Sequence, residues 1–281
     1  MLQRLLSRVR QTGSTDRLNV VAFSGGVDSS LVAAVVHKTF PENSIACLGV
    51  SAAVPADQLD LAREIARYIG IPLWETPTSE GQDPRYVENI GQSCYYCKTN
   101  LYTTLNQVAS HVKSNIPEGT VPILYNGTNS DDKLDPTRLG LIAANEFRVV
   151  SPLEDLTKAE VRQASKELGL PNWNYAASPC LRSRLAFGVS ATKEHLSRIE
   201  RAERAIRSMM ALKPSDNMRV RFLAQNRAAV ELDASRQQSL LPEEVQAAQE
   251  ICKQIGFVDA IVRPFKSGSV SGFQSTVVKE A

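Results

Sequence analysis

The stretch Asn19-Val20-Val21-Ala22-Phe23-Ser24-Gly25-Gly26-Val27-Asp28-Ser29-Ser30 decides the fold. Asn19 to Phe23 is an apolar run that reads as a strand, and Leu31 to Thr39 reads as a helix. Between them lies a glycine turn, and a strand that hands over to a helix through glycines is a phosphate-binding arrangement. Gly25 and Gly26 accept positive φ and let backbone N–H groups close on an oxyanion. Ser24, Ser29 and Ser30 add hydroxyls, and the helix N-terminus points its dipole at the same anion. No Gly-Lys-Ser/Thr follows, so this is not a Walker loop.

Outward from this junction the chain alternates strand and helix. Ser44–Val50 reads as a strand, Asp57–Gly70 as a helix, Pro72–Thr76 as a strand, Cys97–His111 as a helix, and Val121–Tyr125 and Arg148–Val150 as strands. Such alternation predicts an α/β fold, a parallel sheet covered by helices on both faces. Thr157 is the expected N-cap of a helix to Leu168, with Glu160 completing a capping box and Gly169 as its stop. Pro171–Gly188 reads as a long loop and Thr192–Ala211 as an amphipathic helix. Beyond Pro214 the pattern changes to paired strands (Met218–Phe222, Ala228–Leu232), a helix (Pro242–Ile255) and a further strand (Ala260–Pro264). This predicts a second, smaller α+β domain.

Among 281 residues, 43% are apolar and 22% charged, the balance of a globular chain. A net charge of +2 points to neither nucleic acid nor membrane, and no apolar run has the length of a membrane span. The basic segment Met1–Arg10 reads as an N-terminal helix. Five cysteines without a signal sequence imply a reducing, cytoplasmic setting. Cys47 and Cys252 fall in apolar patterns and read as core residues. Cys94 and Cys97 form a CxxC, and Cys180 sits in a loop near Arg182 and Arg184, where a thiolate is stabilised. None of the three histidines has ligand-like spacing to these cysteines, which disfavours zinc; three thiolates suit a [4Fe–4S] cluster with one open iron.

The Ser24–Ser30 segment resembles the PP-loop of N-type ATP pyrophosphatases, which split ATP between the α- and β-phosphates and adenylate a substrate. Beside such a site, Gly127-Thr128-Asn129-Ser130-Asp131-Asp132 places a second glycine and paired carboxylates at a strand end. The pattern suits Mg²⁺ bridging phosphates. Arg138 is a candidate for a phosphate partner.

Cys94-Tyr95-Tyr96-Cys97-Lys98, Ser151-Pro152-Leu153, Pro179-Cys180-Leu181 with Ser183-Arg184, the pair Arg219 and Arg221, and Ser267-Gly268-Ser269 complete a resemblance over nearly the whole chain. It resembles the LarE family, ATP-dependent sulfur transferases of nickel-pincer nucleotide cofactor biosynthesis. The resemblance implies a PP-loop domain over 1–188, a substrate-binding and oligomerisation domain over 189–281, and a homo-oligomer. It also implies adenylation of a carboxylate on a pyridinium dicarboxylate mononucleotide, then conversion to a thiocarboxylate. Asp28 and the phosphate loop would serve ATP and Mg²⁺, and Arg219 and Arg221, on one face of a strand, the substrate phosphate. Cys94, Cys97 and Cys180 would hold a [4Fe–4S] cluster carrying the sulfide; alternatively, Cys180 gives up its own sulfur. Glu203 and Glu231 are weaker candidates. One departure is Gly49-Val50-Ser51-Ala52-Ala53, where the family has a Gly-Val-Thr-Ala-Asp type segment. A PP-loop tRNA thiolase shares the loop and cysteines but wants a basic RNA surface, and an amide-forming synthetase of the NAD synthetase type leaves the cysteines idle.

Overall fold

The computed structural model describes residues 1–108, 120–134 and 138–266. The chain divides into two compact units, one of residues 1–80 and 94–178, the other of residues 81–93 and the chain from Pro179 onward.

The first unit is a four-stranded sheet. Helix α1 (Leu2–Thr12) precedes β1 (Asn19–Phe23); α2 (Val27–Thr39), β2 (Ser44–Val50), α3 (Ala56–Ile69), β3 (Leu73–Pro77), α4 (Ser93–Val108), β4 (Ile123–Tyr125) and α5 (Lys158–Glu167) follow. The strand order is β3-β2-β1-β4 with every pair parallel. Val20 sits between Ile45 and Leu124, and Val21 between Ala46 and Tyr125. A central strand flanked on both sides and covered on both faces must be apolar at successive positions, which is why Val20 and Val21 are both wholly buried. Their side chains enter separate cores: Val21 and Phe23 join α1, α2, α3 and α5, while Val20 and Leu18 join Tyr102 and Leu105 of α4 with Ala143 and Ala144. The chain runs outward through β1, β2 and β3 and then returns to the far side of β1 as β4. The order therefore reverses between β1 and β4, and ligands of such sheets bind beyond the carboxyl ends of the strands at that point.

Two expected strands change. Val121–Tyr125 shortens to Ile123–Tyr125, because Pro122 has no N–H to give a ladder and Arg17 takes the carbonyls of Val121 and Pro122 at 2.8 and 3.2 Å. Arg148–Val150 is no strand: Arg148 has φ +53°, a left-handed turn, and only Val150 bridges to Tyr125. The helix expected to end at His111 runs from Ser93 to Val108, and His111 lies outside the described residues.

The second unit is a three-stranded mixed sheet. Helix α6 (Lys193–Met209) is capped by Thr192, whose hydroxyl oxygen accepts the His195 N–H at 3.2 Å. Strands β5 (Met218–Leu223) and β6 (Arg227–Leu232) pair antiparallel; α7 (Pro242–Ile255) leads to β7 (Asp259–Pro264), which pairs parallel to β6. Within the loop Pro171–Gly188, Leu181–Arg184 forms one turn of 3₁₀ helix. Segment 81–93 is stitched to this unit through Asn89, which is buried with φ +55°. Its Nδ2 donates to the carbonyls of Ala186 and Val189 (2.9 and 3.0 Å), and its Oδ1 accepts from Arg182 Nη1 (2.9 Å).

Candidate functional site

Gly25 takes φ +69°, and a Cβ there would stand 2.6 Å from Ala62 Cα, so α3 packs against a turn only glycine fits. The turn is tied internally. Ser29 Oγ donates to the Gly26 carbonyl (3.1 Å) and contacts Ser24 Oγ (3.1 Å), and the Ser24 N–H donates to Ser29 Oγ (3.2 Å). Ser29 and Ser30 are buried at 6% and 0% exposure, whereas Ser24 is exposed. The serines thus divide into buried ties and one outward hydroxyl. Gln58 donates to the Ser24 carbonyl at 2.5 Å.

Asp28 stands in the first turn of α2. Asn129 Nδ2 donates to its Oδ1 at 3.2 Å, and Lys158 Nζ ion-pairs with its Oδ2. Gly127 lets the two loops touch: a Cβ there would lie 2.8 Å from Asp28 Cβ and 2.9 Å from Ser29 N. The strand-end loops of β1 and β4 therefore converge on Asp28, with Thr128 in the second loop donating its N–H to Asn126 Oδ1 at 3.1 Å. Lys158 is a residue that sequence reading missed. Its only local signal was the first helical position after the Thr157 cap.

The paired carboxylates have protein partners. Asp131 Oδ2 accepts the Lys158 N–H at 3.0 Å. Asp132 Oδ2 closes a capping box on the Asn129 N–H (3.3 Å), and its Oδ1 pairs with Arg138 Nη2 at 2.6 Å. Burial pushes the Asp132 carboxyl up, against the pull of Arg138.

Cys94 and Cys97 lie one turn apart in the first turns of α4, both half-buried. Gly140 brings its helix close to that turn, since a Cβ there would lie 2.9 Å from Lys98 Cγ and 3.7 Å from the Cys94 carbonyl. Tyr95 donates its hydroxyl to Glu146 at 3.0 Å. Cys180, half-buried, opens the 3₁₀ turn of the second unit, and Ser183 Oγ donates to its carbonyl at 2.8 Å. No disulfide joins any of the five cysteines. Burial pushes Cys47 and Cys252 up to about 12, so both stay protonated and serve as packing. The three remaining thiols are a chemically apt donor set for iron. Among the described residues, no group of three or more His, Cys, Asp or Glu is gathered to hold a metal.

In the second unit Arg219 and Arg221 are nearly wholly buried, each 5.8 Å from the Phe265 ring centroid. Arg221 pairs with Glu231 at 2.7 Å, and Arg263 takes the other oxygen at 2.8 Å. Two guanidiniums thus share one fully buried carboxylate, and Arg219, opposite Glu231 in the β5–β6 register, lies on the same face. Burial, reinforced by Arg184, pulls Arg219 down to about 9. Glu203 is committed elsewhere: its Oε1 accepts from Arg184 Nε and from the Val220 N–H, both at 3.0 Å. Replacing Glu203 with alanine leaves buried Arg184 without its counter-charge, at an expected cost of about 3–5 kcal/mol. Thermal unfolding reads this directly, and an unchanged melting temperature would remove the pair from the unit's framework. Ser267-Gly268-Ser269 lies outside the described residues.

The asparagine synthase family matches residues 2–114, the part of the chain that holds the phosphate loop. An uncharacterised protein of Synechocystis sp. is 37% identical over 86% of this chain and 87% of its own. The pyridinium-3,5-bisthiocarboxylic acid mononucleotide synthase of Lactiplantibacillus plantarum is 31% identical over 67% of each chain. A glutamine-hydrolysing GMP synthase of Helicobacter pylori is 24% identical over 60% of this chain and 35% of its own. A glycine-turned phosphate loop at the switch point of a parallel sheet, with this similarity over two thirds of both chains, places the protein in the LarE family of ATP-dependent sulfurtransferases.

Proposed function

We propose that the protein adenylates a carboxylate of a pyridinium dicarboxylate mononucleotide and converts it to a thiocarboxylate. The carboxylate oxygen attacks the α-phosphate of ATP, pyrophosphate leaves, and an acyl-adenylate results. Sulfide then attacks the acyl carbon, the C–O bond to AMP breaks, and a thiocarboxylate remains. A free carboxylate is a poor acyl donor, and AMP makes a good leaving group; this is the reason for ATP in a sulfur transfer.

What carries the reading is the phosphate loop. The exposed Ser24 hydroxyl, the glycine turn and the first turn of α2 would offer donors to the leaving pyrophosphate, with Ser29 and Ser30 tying the turn beneath them. Asp28, Thr128, Asp131 and Gly127 form the opposite wall. Mg²⁺, held by Asp28 with a β4-loop carboxylate, would offset the charge of the phosphates. Lys158, released by Asp28, supplies a mobile cation to the same phosphates, and Arg138 a second. Arg219 and Arg221 take the phosphate of the mononucleotide.

For the sulfur, Cys94, Cys97 and Cys180 would hold a [4Fe–4S] cluster whose open iron binds an exogenous sulfide. A second reading makes Cys180 the donor of its own sulfur. It needs one thiol alone, and Cys180 stands half-buried at the head of the 3₁₀ turn, with Ser183 Oγ on its carbonyl. The enzyme would work as a homo-oligomer in the cytoplasm, without nucleic acid; none of the described helices is long and apolar enough to cross a membrane.

Iron and acid-labile sulfide on anaerobically purified protein separate the two. About four irons per chain support the cluster. Iron-free protein after reconstitution, with a mass loss of one sulfur on turnover, supports donation by Cys180.

A further inference from the structure

The loop that follows α5 reaches back to the phosphate turn. Asn172 is 1% exposed, and its Nδ2 donates to the Gly25 carbonyl at 2.8 Å and to Ser30 Oγ at 3.0 Å. The amide can stand only one way round. A carbonyl oxygen can accept and never donate, so Nδ2 must face Gly25. That orientation leaves Oδ1 buried with no hydrogen-bond partner. An orphaned acceptor is unfavourable, and a side chain of pure packing would be apolar here. The neighbouring backbone is itself fixed: Arg162 on α5 donates to the carbonyls of Trp173 (2.9 Å) and Tyr175 (2.8 Å).

We propose that Asn172 is a positioning residue for the adenylation site. It holds the Gly25 carbonyl turned inward, which in a trans peptide sets the Gly26 N–H on the opposite side, where it meets the Oγ of exposed Ser24 at 3.4 Å and where a phosphate oxygen would replace that acceptor. It also occupies the Ser30 oxygen as an acceptor. The inference rests on residues 24–30 acting as the phosphate loop.

The test uses the full chain with magnesium pyrophosphate and, separately, adenosine as probes in calorimetry. Asn172→Ala is expected to weaken pyrophosphate binding about tenfold and to leave adenosine binding within about twofold. Asn172→Asp keeps the volume but sets a carboxylate against the Gly25 carbonyl. Its deficit relative to wild type is expected to shrink as the pH falls towards 5, because burial against the Gly25 carbonyl raises the introduced carboxyl above the ordinary aspartate range and lets it regain a proton to donate. Unchanged pyrophosphate affinity in the folded alanine variant, parallel loss of both probes, or a pH-independent aspartate deficit each overturn the proposal. Failure of the wild type to bind pyrophosphate overturns the phosphate-loop reading itself.

Discussion

Replacing Asp28 with alanine is expected to lower ATP–pyrophosphate exchange by about two to three orders of magnitude. The carboxylate is where the strand-end loops of β1 and β4 meet. It accepts from Asn129, pairs with Lys158, and is the acidic residue in the first turn of α2. Without it, Lys158 loses the carboxylate that holds it at the loop, and the proposed magnesium site would lose a ligand. Lys158→Ala should fall in the same direction with a smaller loss. Because the Asp28 side chain is partly solvated rather than sealed in a core, the folded state should survive, and the thiol count should match the wild type. Exchange at the wild-type rate in the alanine variant would remove this loop from the chemistry.

The second large effect concerns sulfur. Cys180→Ala, Cys94→Ala and Cys97→Ala are each expected to reduce thiocarboxylate formation by about a thousandfold or more while pyrophosphate exchange stays within about twofold. In the proposed reaction the two halves use different atoms, since the groups proposed for adenylation lie in the loops after β1 and β4 and none of them is a cysteine. The pattern of losses also separates the donors. If Cys180 gives its own sulfur, the Cys94 and Cys97 variants retain a single turnover; if a cluster carries the sulfide, all three lose it together. Joint loss of exchange and thiolation in any one variant would mark that cysteine as structural.

The parallel sheet was legible because its strands are buried on both faces and its helices are amphipathic. The run Asn19–Phe23 followed by Gly25 and Gly26 has few other readings. The Thr157–Glu160 capping box was equally plain, as its two hydrogen bonds are local in sequence. What failed was local in a different way. Arg148 takes a left-handed turn with no glycine to announce it, and the carbonyls before β4 are captured by Arg17, which is remote in sequence. At the site, the glycines and Asp28 could be picked from spacing, but Lys158 and Asn172 could not. Each reaches the phosphate loop from more than 100 residues away, through contacts that exist only once α5 is packed on α2. The buried pairing of Arg221 and Arg263 with Glu231 escaped for the same reason: alternation on β5 gave a face, but a charged face reads as solvated until its neighbours are known.

Asn89 and its short segment belong with chain made much later. On the ribosome, residues 81–93 leave the tunnel well before Ala186 and Val189, the groups that will receive the Asn89 amide. The second unit therefore cannot be completed as an appendage after the first. Its earliest piece must wait, unsatisfied, through the synthesis of α4, β4 and α5. A nascent chain stalled before Pro179 holds a strip of the later unit without the residues it will pack against. The two units are not successive stretches of chain, so no single cut separates one from the other.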